Sequence, residues 1–237
     1  MYSHKWTRAL LVMGLFAMQA VASNADDARI GVAASVKPDA ERIIGGNPQT
    51  LTPGNELYAN ETVRTGNVGR ADLRFLDNTN LTVGPASEVH LDKFVYDPTG
   101  SSGAVVINAT RGAFRFVTGT QDHRAYRVNT PYGTLGVRGT VVEMKILPNI
   151  VRKAAPNTCV ATIRLVSGTG TSFTLPNGKV ADLTNAGSCA CITAGGGINY
   201  LASCPAMFPT VADPVVPPPP PPPPPPCLSP TKLGCQD

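Results

Sequence analysis

The chain has 237 residues, of which 42% are hydrophobic and 15% charged, with 23 Gly and 23 Pro. This balance suits many short strands and turns and argues against a mainly helical protein. Of the 20 Lys and Arg residues, Lys5 and Arg8 lie in a predicted leader, so the mature chain would carry 18 basic against 16 acidic residues. Such a near-neutral chain gives no electrostatic basis for binding nucleic acid.

Residues 1–22 have the pattern of a secretory signal peptide. Lys5 and Arg8 form a positive start, an apolar run follows, and Ala20-Val21-Ala22 is a small-residue cleavage site before Ser23. The apolar run is shorter than the roughly 20 residues of a membrane-spanning helix. No Cys follows the site, so no lipid anchor is indicated. We therefore expect a periplasmic or secreted mature chain without a membrane span.

From residue 29 the chain shows short apolar-polar alternations separated by turn residues. No mature stretch keeps a 3.6-residue period over a helical length. This pattern predicts an all-β fold, either a curled two-sheet domain or a β-helix-like stack. The predicted strands are 30–36, 43–44, 57–63, 73–75, 80–83, 89–94, 104–107, 113–117 and 125–128.

A turn leading into a buried strand organises this region. Pro131 favours extended geometry for the residues before it. Gly133, Gly136 and Gly139 allow the backbone to turn or to pack closely against another strand. From Val137 onward, alternation places Arg138 on the same face as the apolar residues Val142, Met144 and Ile146. The predicted structural motif consists of Thr130, Pro131, Gly136, Val137, Arg138, Gly139 and Thr140.

Arg138 would be costly on a buried face without a partner. We expect its guanidinium to bridge carbonyl groups or a carboxylate, with Asp77 as the first candidate. On this hypothesis Arg138→Ala would cost about 2–5 kcal/mol of stability. The alternative is that Arg138 contacts a ligand, in which case its removal would leave stability unchanged.

The order of several short motifs resembles the FecR domain, a periplasmic family named after a regulator of iron-citrate signalling. The resemblance runs from Ile30 to about Ile146 and departs from the family at Asn55 and at Asn78, which stand in place of Asp and Gly. Asn tolerates the left-handed turn geometry required at residue 78. The matching stretches are 51–57, 65–66, 71–77, 81–89, 106–114 and 130–140.

The resemblance implies a FecR-like β domain over residues 29–147 with a binding or sensing role. Regulatory members also have a cytoplasmic anti-sigma segment and one transmembrane helix, and neither is expected here. The implied partner is a protein or a component of the cell envelope.

Residues 155–207 predict a Cys-containing β extension, and residues 208–237 a polyproline linker with a Cys-bearing tail. Strands at 160–166 and 171–175 flank a turn at 168–170, and an Asn177-Gly178 turn leads into a returning strand at 180–183. The ten prolines 217–226 would form a polyproline II rod of roughly 30 Å, at about 3.1 Å per residue. The rod is interpreted as a passive linker or as a docking segment.

The six cysteines lie after the FecR-like region. An even number behind a signal peptide predicts disulfides, with Cys227–Cys235 as one plausible pair and two bridges among the other four. A metal site at the Cys-Ala-Cys run is the alternative, although zinc sites usually have two-residue spacers and often His. The candidates are Cys159, Cys189, Cys191, Cys204, Cys227 and Cys235.

The sequence favours a non-catalytic protein without a cofactor. His90 lies in the polar phase of a strand and His123 in a polar loop beside Asp122, and no nucleophile motif or phosphate loop accompanies them. Three hypotheses remain: an envelope binding or sensing module, a structural or adhesive β module on a Pro-rich stalk, and an envelope-polymer hydrolase using Glu88 and Asp92.

Overall fold

The computed structural model describes residues 29–97, 103–148 and 154–208. The predicted signal peptide, the polyproline run and the pair Cys227 and Cys235 lie outside these residues. In the described part of the chain, no helix is both long and apolar enough to cross a membrane.

The described residues are almost entirely β-structure, as predicted. One 3-10 helix, His123–Ala125, precedes β10. The strands are β1 Arg29–Lys37, β2 Ala40–Ile44, β3 Asn47–Thr50, β4 Glu56–Tyr58, β5 Glu61–Thr65, β6 Arg70–Phe75, β7 Asn80–Val83, β8 Glu88–Val95, β9 Ala104–Val117, β10 Tyr126–Thr130, β11 Gly133–Ile146, β12 Cys159–Thr174, β13 Val180–Leu183, β14 Cys189–Thr193 and β15 Ile198–Leu201.

The strands form one curled sheet with two halves, which we call the front and back sheets. The front sheet has the order β3-β2-β5-β8-β9-β10-β11-β12-β13. The back sheet has the order β4-β1-β6-β7-β9-β11-β12-β14-β15. Strands β9, β11 and β12 belong to both sheets, so the second β segment extends the same fold.

The three shared strands bend at glycines with positive φ: Gly112 at 107°, Gly139 at 57° and Gly168 at 106°. In β9 the buried side chains occupy odd positions before the bend, such as Ile107, and even positions after it, such as Phe114. The bends in β9 and β11 thus shift the inward-facing residues by one position, as a β-bulge does. In β12 the core residues Leu165 and Phe173 occupy odd positions on both sides of the bend. The break predicted between strands 104–107 and 113–117 and the turn predicted at 168–170 are in fact bends within the continuous strands β9 and β12.

The inner faces of the two sheets enclose a single hydrophobic core. Val89 and Leu135 of the front sheet line the same small internal void as Leu81 and Met144 of the back sheet. Burial of these apolar faces is the main contribution to the stability of such a fold.

Two local predictions differ in outcome. The strand expected over 57–63 is divided into β4 and β5 by Asn60, whose φ is 63°. The left-handed turn expected at Asn78 is present, with a φ of 64°.

Candidate functional site on the outer face of the front sheet

The predicted turn at Thr130 joins β10 to β11. The Thr130 hydroxyl donates to the carbonyl of Gly133 at 2.8 Å and accepts from the backbone N–H of Tyr132 at 3.1 Å. The Tyr132 hydroxyl donates to the carbonyl of Leu147 at 3.0 Å, which fixes the hairpin against the end of β11. Burial raises the pKa of Tyr132 above its ordinary value.

The strand after this turn does not keep one alternation. Leu135 and Val137 are buried before Gly139, whereas Thr140 and Val142 are buried after it. The bend at Gly139 ends the first alternation, so Arg138 lies on the outer face with Thr134 and Gly136, and its side chain is exposed. The Arg138 carbonyl accepts a hydrogen bond from the Thr169 hydroxyl at 2.6 Å.

The prediction that Arg138 is buried beside Asp77 is wrong. Asp77 is fully buried, and its carboxylate accepts from the Thr79 N–H at 3.0 Å, the Thr79 hydroxyl at 2.7 Å and the Tyr126 hydroxyl at 2.9 Å. The Asp77 carbonyl also accepts from the Thr120 N–H at 2.8 Å. The Asp77 carboxylate is therefore hydrogen-bonded entirely within the protein. These contacts connect the β6–β7 turn to β10.

Tyr126 completes this buried network. Its hydroxyl oxygen accepts from the backbone N–H of Gln121 at 3.0 Å, while it donates to Asp77. Burial, together with the neighbouring Asp77 carboxylate, raises the pKa of Tyr126 to about 12. The network is structural, because Asp77 is inaccessible to a ligand.

The outer face of the front sheet carries a different polar arrangement, which we call the polar ladder: Thr62, His90, Asn108, Asn129 and Thr134. These residues lie opposite one another on five neighbouring strands. The distance from Thr62 Oγ1 to His90 Nδ1 is 3.1 Å. The Asn129 amide donates to Asn108 Oδ1 at 2.9 Å, and the Thr134 hydroxyl donates to Asn129 Oδ1 at 3.1 Å.

All five ladder residues are half-buried, so their remaining polar atoms face outward. At roughly 4.8 Å between strands, five strands give a row about 19 Å long. Direct side-chain contacts between strands hold hydroxyl, imidazole and amide groups in a fixed order. This arrangement can donate hydrogen bonds to, and accept them from, an extended polar surface.

A charged row runs beside the polar ladder. Arg64 Nε lies 3.0 Å from Glu88 Oε2, and Arg64 Nη1 lies 2.9 Å from Glu41 Oε1. Arg111 approaches the same Glu88 oxygen at 3.2 Å. The hydrogen bond with Glu88 raises the pKa of Arg64 further above its ordinary value, despite the opposing effect of burial.

One end of this face is concave. A cleft of about 560 Å³ lies between the β2–β3 hairpin and β5. Six of its nine lining residues have polar side chains, among them Asp39, Glu41, Gln49, Thr50 and Arg64. The outer face therefore combines a long polar row with a cleft large enough for a side chain or a small ligand group.

The outer face of the back sheet has its own contacts. Glu143 lies between Arg115 at 3.3 Å and Arg164 at 3.7 Å. Burial alone would raise the pKa of Asp72, but hydrogen bonds from Thr82, Ser35 and Arg70 lower it below its usual range. The carboxylates on this face are thus used in cross-strand contacts.

The residues considered for catalysis are not brought together. His90 belongs to the polar ladder, whereas His123 lies in the short helix with its Nδ1 3.8 Å from Asp122. Glu88 is held by two arginines, and Asp92 is exposed on β8.

Four of the candidate cysteines form two disulfides, Cys159–Cys191 and Cys189–Cys204. The first joins neighbouring strands β12 and β14, and the second ties the segment after β15 to β14. Both sulfurs of the Cys-Ala-Cys run are engaged in these bonds, so the structure supports the disulfide interpretation for these four residues.

The sequence reasoning missed the polar ladder and the cleft. Each ladder residue occupies an outward position of a strand, which the alternation of β5, β8 and β10 could have indicated. Their alignment depends on the strand order and register, and these are set by contacts between residues distant in sequence.

No curated protein gives a significant match. Two crystal structures of a proposed anti-sigma factor from Parabacteroides distasonis ATCC 8503 match with TM-scores of 0.46 and 0.44, each at 12% identity. Each match covers 60% of this chain and 59% of that chain, so less than two thirds of the relative is spanned.

The family comparison is more direct. A family model described as FecR protein matches residues 61–180, about half of the chain. The matched part begins at β5, includes the polar ladder and the Gly139 bulge, and extends through β12. This chain belongs to the FecR protein family.

Proposed function

We propose that this chain is a non-catalytic binding and sensing module of the cell envelope. It contacts a protein or an envelope component through the outer face of the front sheet. The mature protein is periplasmic or secreted and acts after removal of residues 1–22.

Two features support the location and the class of protein. Membership of the FecR family and the predicted leader agree with an envelope protein. Disulfides persist in oxidising compartments such as the periplasm or the exterior, and the structure contains two of them.

The observation that carries the proposal is the polar ladder with its adjoining cleft. Hydroxyl and amide groups across five strands remain partly open to solvent and are held by neighbours rather than by flexible loops. A rigid, preordered surface loses little conformational entropy on binding. This favours recognition of another macromolecule over chemistry at a single centre.

A structural or adhesive role is the second candidate. It is favoured by the predicted polyproline rod, which would hold the β domain away from an attachment point. Hydrolysis of an envelope polymer has weaker support, because Glu88 is held in two ion pairs on the outer face.

The binding proposal is tested by affinity capture from an envelope extract, using residues 23–237 as bait. The Thr134→Arg variant places a bulky side chain over the polar ladder. Asn80→Arg is its matched control, because Asn80 is a half-buried outward residue on β7 of the back sheet. We expect the wild type and Asn80→Arg to retain the same partner and Thr134→Arg to lose it.

The alternatives give distinct outcomes. Equal capture by all three baits, or equal loss in both variants, would show that the front face is not the binding surface. Failure of the wild type to retain any envelope protein or polymer would reject the binding function and leave the structural role. Release of soluble fragments from an envelope polymer by the purified wild type would reject a non-catalytic function.

A further inference from the structure

The arginines of this protein differ in whether they contact a carboxylate. Among residues 29–97, 103–148 and 154–208 there are eleven arginines, and eight of them lie within 4.0 Å of an Asp or Glu oxygen. The three without such a contact in this part of the chain are Arg74, Arg127 and Arg138. Arg74 lies alone on the back sheet, whereas Arg127 and Arg138 lie together on the front sheet.

The strand register places Arg127 and Arg138 side by side. Arg127 of β10 lies opposite Gly136 of β11, and Arg138 is two residues further along β11. Both side chains are exposed on the outer face. Diagonal neighbours of this kind have Cα atoms roughly 7–8 Å apart, within reach of two long side chains. The two guanidinium groups can therefore act on one ligand.

Two glycines lie opposite the two arginines. Gly136, opposite Arg127, has no side chain, and Arg138 lies opposite Gly170 of β12. Arg138 continues the outward positions of Thr134 and Gly136 up to the left-handed bend at Gly139, and the Thr169 hydroxyl fixes its carbonyl. Gly170 is buried against β13, and the Ser172 hydroxyl borders Gly136, so the approach to the two guanidiniums is from the exposed side chains of Arg127 and Arg138 themselves.

We propose that Arg127 and Arg138, which we call the arginine pair, bind carboxylate groups of an acidic segment in a partner protein. Each guanidinium presents a planar fork of N–H donors that matches the two oxygens of a carboxylate. Elsewhere on the surface, Glu88, Glu143 and Asp72 supply such oxygens to neighbouring arginines from within the chain. At the arginine pair the oxygens come from outside it.

A protein segment fits this surface better than a long polyanion. The charged row on β5 and β8 contains Glu41 and Glu88, and Asp182 lies exposed on β13 in the same strand row as Arg127 and Gly136. A long polyanion would require an extended basic stripe. In the row of Arg127, the exposed residues Lys93 of β8 and Asp182 of β13 lie at opposite ends, so the basic surface is short and is suited to one or two carboxylates. The adjoining polar ladder would contact uncharged parts of the same partner.

This inference rests on the proposed binding function but has its own test. Purified residues 23–237 are titrated into a fluorescein-labelled hexaglutamate peptide at low ionic strength, and fluorescence anisotropy gives the Kd. The Arg127→Gln/Arg138→Gln variant removes the pair. The control Arg74→Gln/Lys145→Gln removes the same charge from exposed residues of the back sheet.

We expect saturable peptide binding by the wild type. The Kd of the Arg127→Gln/Arg138→Gln variant should be at least about tenfold higher, and the Kd of the control should change less than about twofold. Equal weakening in both variants, or no saturable binding by the wild type, would overturn the inference. So would tighter binding of a long polyphosphate chain that is lost equally in both variants. Unchanged thermal unfolding confirms that both variants are folded.

The two proposals can fail separately. If the wild type captures an envelope partner and the Arg127→Gln/Arg138→Gln variant captures it equally well, the arginine pair is not its contact and only this inference is rejected. If the wild type binds the peptide as expected but captures nothing from the envelope, the proposed cellular function is rejected while the carboxylate site remains.

Discussion

Asp77 and Arg138 are charged residues that the sequence predicts as partners, yet they belong to two very different regions. Asp77 is fully buried, and three hydrogen bonds to its carboxylate come from Thr79 and Tyr126. Arg138 is exposed beside Arg127, and no Asp or Glu of the described residues lies within ion-pair distance of either.

The difference separates structural polar groups from binding groups. A buried charge must be satisfied within the protein, because leaving it unpaired costs several kcal/mol, on the order of the stability of a small domain. An exposed charge retains its hydration and can exchange it for a partner at little cost to the fold. A charged residue therefore serves stability at Asp77, whereas at Arg138 it is free for the binding proposed above.

Removing the buried carboxylate should have the largest effect. Asp77→Ala leaves the Thr79 N–H, the Thr79 hydroxyl and the Tyr126 hydroxyl without their acceptor. We expect a loss of about 2–4 kcal/mol in the free energy of unfolding, measured by urea denaturation. Asp182→Ala, at an exposed position on β13, is the control and should change little. An unchanged midpoint for Asp77→Ala would contradict the closed network.

Adding a side chain at the bulge should have the next largest effect. Gly139 has a φ of 57°, and a Cβ there would lie 3.8 Å from the Thr169 hydroxyl oxygen, so space is available and only the backbone is strained. We expect Gly139→Ala to cost about 1–2 kcal/mol. The control Gly136→Ala has no such φ, and its Cβ would lie 3.3 Å from the Ser172 hydroxyl oxygen, which can rotate away, so it should cost less. Equal costs would contradict the assignment of backbone strain to the left-handed φ at Gly139.

Removing the Tyr126 hydroxyl should cost about 1 kcal/mol, because two hydrogen bonds are lost but the aromatic ring stays buried. The effect should depend on pH. The pKa of Tyr126 is raised by burial to about 12, above the ordinary value of 10.0. Its contribution to stability is therefore complete below pH 10 and is lost as pH rises toward 12. Urea denaturation of wild type and Tyr126→Phe should show a difference that shrinks over this range. A difference independent of pH between 8 and 12 would contradict the burial of the hydroxyl.

The smallest effect on stability is expected at the arginine pair. Arg138→Ala and Arg127→Ala should each change the free energy of unfolding by less than about 0.5 kcal/mol, because both side chains are exposed. Thermal unfolding measures this directly. A loss of 2 kcal/mol or more for Arg138→Ala would restore the hypothesis of a structural Arg138.

Much of the fold could be predicted from local patterns. The all-β class, the Asn78 turn and the strands β6, β7 and β10 are apparent from alternation and turn residues. The prediction of two disulfides among Cys159, Cys189, Cys191 and Cys204 is confirmed, although their pairing could not be chosen from spacing.

The positions of the candidate site residues could be predicted less well from local patterns. Period-two alternation predicts the inward-facing residues only while the strand is regular. The bend at Gly139 moves the buried positions from Leu135 and Val137 before it to Thr140 and Val142 after it. The sequence indicates a strand break at Gly112 and a turn at Gly168. A glycine within a strand has no sequence signal that distinguishes a bend of the strand from a turn that reverses the chain. The side on which Arg138 lies therefore could not be derived from the sequence.

The sequence by itself determined the short-strand character of this protein, its family and the residues that form its turns, because these depend on periods and propensities within a few residues. The tertiary structure alone decided that Asp77 meets Tyr126, that the polar ladder aligns across five strands and that Arg127 lies beside Arg138. These contacts depend on strand order and register, which arise when the two sheets bury their apolar faces against each other and which local sequence does not encode.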